Sequence, residues 1–70
     1  MGTQEQITVN KFKRILERNG FQYHRNGKGD HVVYVDKRGR KIAFPVKEKE
    51  INPMLYKGIV RRYDLNENAN

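Results

Sequence analysis

The residue types suited to chemistry gather in one short stretch, Arg25-Asn26-Gly27-Lys28-Gly29-Asp30-His31. An imidazole has a pKa of about 6.5, so His31 can accept or release a proton near neutral pH. Its plain alternative is a polar residue at the mouth of a strand, the commoner fate of a histidine. The other histidine, His24, reads as an exposed strand residue in a basic surface. His24, Asp30, His31 and Asp36 show no recognised metal-ligand spacing, and the chain has no cysteine, so neither a cysteine-bound metal nor a disulfide is open to it. Neither a metal nor another cofactor is expected.

The chain has 70 residues, enough for one domain with a small core. Fifteen Lys and Arg against 8 Asp and Glu leave a formal charge of +7. The positive sign holds through the middle of the chain, from His24 to Lys49. That is the electrostatic footprint of a polyanion partner, and nucleic acid is the first choice. No apolar run approaches the roughly 20 residues of a membrane span. Residues 1–6 lack the cationic start and apolar core of a signal peptide, so a cytoplasmic protein is expected, with no membrane partner.

Periodicity supplies the elements that must hold the chemistry. Val9, Phe12, Ile15 and Leu16 recur three or four apart, which predicts a helix capped by Thr8 and stopped at Asn19-Gly20. From Phe21 the period changes to two: Phe21, Tyr23 and Arg25 alternate with Gln22, His24 and Asn26 in a first strand. Residues 26–29 make a turn, and His31–Val35 is a second strand rich in β-branched and aromatic residues. His31, Val33 and Val35 share one face, Val32 and Tyr34 the other, and the pattern does not say which is buried. Residues 36–39 make the next hairpin loop. A third strand follows over Lys41–Val46, with Ile42, Phe44 and Val46 on one face and Pro45 marking an end or edge. Asn52 and Pro53 open a second helix that includes Ile59, Val60 and Tyr63, with Leu65 packing just after it. Gly58 within it costs about 1 kcal/mol relative to Ala. The aromatic residues are assigned to packing. The expected class is α+β, in αβββα order, with a three-stranded antiparallel sheet and both helices on one face, the layout of double-stranded-RNA-binding-like folds. One domain is expected over residues 8–65, with flexible termini at 1–7 and 66–70.

Four segments narrow this order further. Residues 15–21, Ile-Leu-Glu-Arg-Asn-Gly-Phe, resemble the helix end of the HicA toxins. Residues 25–31 are similar to that family's Arg followed by a Gly-Ser-His or Gly-Thr-His turn. Pro45-Val46 resembles the close of its third strand. Residues 59–65, Ile-Val-Arg-Arg-Tyr-Asp-Leu, are similar to its last helix, usually Ile-Leu-x-x-x-Gly-Leu. The likeness runs over about residues 8–65. Three positions depart from the pattern: Asp30 replaces Ser or Thr, Lys47 replaces a second His, and Asp64 replaces Gly.

The resemblance implies an mRNA-cleaving toxin of a bacterial toxin–antitoxin pair, held in check by an acidic HicB-like antitoxin. It implies that His31 is catalytic, in a metal-independent cleavage where the 2′-hydroxyl attacks the adjacent phosphorus. Arg25, Lys28 and Lys47 then supply positive charge, and Gly29 lets phosphate approach the backbone. Asp30 either orients the His31 ring or repels the phosphate; as a simple turn residue it bonds its own backbone. Arg38 and Arg40 at the second hairpin, and Arg61 and Arg62 at the last helix, offer further phosphate contacts. A non-catalytic RNA-binding module is the alternative function, and an adaptor that binds only protein is a third.

Overall fold

The computed structural model describes residues 7–68. Its elements are α1(Val9–Arg18), β1(Gln22–Asn26), β2(His31–Val35), β3(Lys41–Pro45) and α2(Pro53–Tyr63). The fold is α+β, and the αβββα order is the expected one. Each helix begins where its capping chemistry dictates. The Thr8 hydroxyl accepts a hydrogen bond from the Lys11 N–H at 3.1 Å. The Asn52 side-chain oxygen accepts from the N–H groups of Met54 and Leu55 at 2.8 and 3.3 Å, with Pro53 at the first helical position. α2 ends at Asp64, which takes the left-handed conformation (φ 54°, ψ 51°) that a Gly would adopt without penalty. Gly58 leaves α2 unbroken.

The three strands form one antiparallel sheet in the order β1-β2-β3. β2 pairs with β3 without interruption, Val32 opposite Phe44 and Tyr34 opposite Ile42. These four residues are buried and share one core with Val9, Phe12, Ile15 and Leu16 of α1 and Tyr56 and Ile59 of α2. The side of β2 that faces the helices is therefore the Val32–Tyr34 side, and both helices cover that one face. Phe12 is the pivot. Its ring meets Phe44 edge-on at 4.8 Å and Tyr56 edge-on at 5.7 Å, so it joins α1 to β3 and to α2.

The expected alternation of β1 is corrected by a bulge. Tyr23 lies opposite Tyr34, but Arg25 lies opposite Val33, with His24 as the extra residue between them. Tyr23 and Arg25 consequently belong to opposite faces. Phe21, expected at the head of this strand, precedes it and is fully buried.

The described parts of the expected flexible termini are tied in. The Ile51 N–H donates to the Ile7 carbonyl at 2.9 Å. The Asn66 N–H donates to the Asn19 side chain at 2.8 Å, and the Asn19 amide donates back to the Asn66 carbonyl at 2.9 Å. The Tyr56 hydroxyl donates to the Glu67 carboxylate at 2.6 Å, and burial, reinforced by this partner, holds the phenol well above its ordinary pKa. Asn66 and Glu67 are thus bonded to the C-cap of α1 and to the first turn of α2. The outer parts, residues 1–6 and 69–70, lie outside the described residues.

Truncating Phe12 to Ala removes the ring that links three elements. The expected cost is about 3–5 kcal/mol, enough to leave so small a domain largely unfolded at 37 °C. Urea denaturation followed by circular dichroism measures it.

Candidate functional site

His31 is the first residue of β2, and four backbone restraints fix it. The Gly27 N–H donates to its carbonyl at 2.7 Å, and its own N–H donates to the Lys28 carbonyl at 3.3 Å. Lys28 to His31 is a tight turn with Gly29 at φ +63°, the conformation a type II′ hairpin turn requires at its first central residue. On the other side His31 pairs with Pro45, and the Val46 N–H donates to the Asp30 carbonyl at 2.8 Å. That last bond carries the β2–β3 pairing past the end of the strands. It brings the loop holding Lys47 and Glu48 against the Gly27–Asp30 turn.

These restraints bring five of the expected site residues together. Arg25, Lys28, Gly29, His31 and Lys47 line one open cleft, along with Asp30 and Glu48. Its floor is Val33, Ala43 and Pro45. The cleft lies on the face of the sheet that the helices leave bare. The His24 bulge is what admits Arg25, because regular alternation would put Arg25 on the helix side. His31, Arg25, Lys28 and Lys47 are all exposed. Three cations around one exposed imidazole can bind an oxyanion and offer or remove a proton beside it.

Gly27 was not expected in the site. A Cβ placed on it would stand 3.3 Å from the His31 Cβ and 3.4 Å from a Val33 methyl. A side chain there would press on His31 and Val33, which would have to give by a few tenths of an ångström. The Asn-Gly step marks a turn in the sequence, but only the folded pairing shows what crowds that glycine.

Arg38 and Arg40 stand elsewhere, at the β2–β3 hairpin. The Arg40 guanidinium donates to the Asp36 carboxylate at 2.7 Å and lies 5.4 Å from the centre of the Phe21 ring and 5.7 Å from that of Tyr63. It staples this hairpin to the start of β1 and the end of α2. Arg38 is exposed beside it. His24 is exposed at the bulge and does not line the cleft. Among the described residues, no three His, Cys, Asp or Glu side chains group as a metal site. No helix among them is long and apolar enough to cross a membrane.

The family model described as the HicA toxin of bacterial toxin–antitoxin matches residues 9–65. The chain belongs to the HicA toxin family. A search of the curated proteins and of the solved structures found no match. The matched span of this HicA chain runs from the first residue of α1 to Leu65, the last residue of the core.

Partial burial works against ionisation of Asp36, but side-chain and backbone hydrogen bonds from Arg40 and a backbone bond from Arg38 outweigh it. The carboxyl is held below its ordinary value of 3.8. A lowered folded-state pKa contributes stability that is present above the unfolded value and is lost as pH falls through the folded one. Asp36→Asn should therefore lower Tm at pH 7, and its deficit against wild type should shrink as pH drops below about 4; thermal melts across this range measure it. A second variant, Gly27→Ala, should shift the His31 ring resonances in NMR spectra. An unchanged His31 spectrum would refute the steric link.

Proposed function

We propose that this HicA-family chain is a metal-independent endoribonuclease that cleaves mRNA. The single observation carrying the proposal is the exposed His31 imidazole in a cleft with Arg25, Lys28 and Lys47. In this reading the scissile phosphate lies among the three cations, close to the turn at Gly29. His31 makes one of the two proton transfers, taking the proton from the 2′-hydroxyl or giving one to the leaving 5′-oxygen, and solvent water makes the other. The O2′–P bond forms as the P–O5′ bond breaks, which leaves a 2′,3′-cyclic phosphate and a free 5′-hydroxyl. The cations offset the added negative charge on the phosphorane. Asp30 carries the other acid–base group nearest in sequence, and its carboxylate either orients His31 or opposes the phosphate.

Such an enzyme needs restraint in the cell that makes it. An acidic HicB-like antitoxin that covers His31 and meets the cationic rim is the proposed partner, and the cytoplasm, where mRNA is found, the proposed location. The fold unit proposed for this activity is residues 8–65. Arg38 is proposed as an outlying phosphate contact that positions RNA without reading it. Arg40 joins it there only through whatever capacity its bond to Asp36 leaves. A non-catalytic RNA-binding module is the second reading; it is favoured by His31 being the single imidazole in the cleft lining, since cleavage needs two proton transfers.

Expression of wild type, His31→Ala and Asp30→Ser in bacteria, with purified proteins incubated with mRNA in chelator, separates the readings. The expected result is growth arrest and cleavage by wild type, with cleavage reduced at least about 100-fold in His31→Ala. Faster cleavage by Asp30→Ser identifies repulsion of the phosphate, and loss of cleavage identifies orientation of His31. RNA binding with equal, negligible cleavage by wild type and His31→Ala would establish the binding module instead.

A further inference from the structure

Val33 is only 6% exposed, yet it stands outside the core that the helices cover. It lies on the bare face of the sheet, opposite Ala43 on one side and Arg25 on the other. His31 and Pro45 form the neighbouring pair on the same face. The cleft floor is thus a strip of small aliphatic groups, one strand step of about 6.6 Å from the imidazole. Ala43 keeps that strip low, because its side chain ends at a methyl beside the larger Val33.

Tyr23 would be the usual platform for a base, since it is the exposed aromatic among the described residues, at 54%. It is turned away from the cleft. It pairs with Tyr34 on the helix side, meets that ring edge-on at 6.1 Å, and spends its hydroxyl on the Asn26 side chain at 2.7 Å. The cleft therefore has phosphate-binding cations and a flat apolar floor but no aromatic ring.

We propose that the Val33–Ala43–Pro45 strip seats the nucleobase adjoining the phosphate at His31, an aliphatic platform in place of aromatic stacking. This rests on the RNA reading of the cleft given above. A base in a duplex has both faces covered by its neighbours, so only an unstacked base can lie on the strip. Arg25 on one flank and Glu48 on the other present a donor and an acceptor to the edge of that base, the chemistry by which bases are told apart.

The test uses the full chain carrying His31→Ala, so that RNA is bound without being cut. Fluorescence anisotropy compares a labelled single-stranded RNA of about eight nucleotides with an abasic ribose-phosphate oligomer of the same length and charge. The expected result is about tenfold tighter binding of the base-bearing oligomer. Ala43→Leu, which fills the low point of the strip, should erase most of that preference, and Ala43→Thr should reduce it with a smaller, strand-compatible side chain. Tyr23→Ala should leave it intact. Circular dichroism confirms that each variant is folded. Equal binding of the two oligomers by the parent overturns the platform alone. So does a preference that is unchanged or raised by both Ala43 variants, or one lost in Tyr23→Ala. Failure to bind either oligomer overturns the platform and the RNA reading together, whereas cleavage by wild type bears only on the catalytic proposal.

Discussion

The alternation of β2 sets what every other part of the molecule must do. Its even-numbered side chains, Val32 and Tyr34, enter the core with Ile42 and Phe44 of β3, and the odd-numbered His31 and Val33 go to the bare face. A slip of one residue would exchange the two sets, burying an imidazole and exposing a tyrosine. The register is pinned from three directions. The Gly29 turn fixes the β1–β2 connection, the Asp36–Arg40 pair fixes the β2–β3 connection, and the Phe12–Phe44 contact locks β3 beneath α1. Packing energy from the helix side thereby becomes positional precision on the other side.

The helices and the bare face do separate jobs. α1 and α2 contribute no side chain to the lining of the His31 cleft, and their buried residues serve the core. The cleft is built by the sheet and two of its loops. The Val46–Asp30 hydrogen bond and the His24 bulge are small backbone features, yet they decide that Lys47 and Arg25 reach the same place as His31. Net positive charge is a property of the whole chain, but a site needs charges that converge, and here convergence comes from pairing geometry.

Much of the fold was legible in the sequence because each signal was local. Thr8, Asn52 and Pro53 announce helix starts through groups within three residues, and Phe12, Ile15 and Leu16 repeat at helical spacing. His31, Lys28 and Gly29 were legible as a cluster because they are neighbours in the chain. The illegible parts depend on distant partners. A bulge is a mismatch in length between two strands, so the β1 residues alone cannot reveal it. The buried side of β2 was undecided because both sides are apolar, and the helices that choose between them lie elsewhere in the sequence. Arg40 resembles any hairpin cation until Phe21, just before β1, and Tyr63, at the end of α2, are seen to lie against it. The Val33–Ala43 strip gave no signal because small aliphatic residues in strands are ordinary until their register is known.

The restraints on His31 also bear on time. Its turn, its strand pairing and the start of the Lys47 loop are all held by backbone hydrogen bonds. A surface held by such pairing presents its imidazole and its cations together. Under the ribonuclease proposal, the delay between a signal and the first cut is the dwell time of the antitoxin over the cleft, with no refolding step added to it.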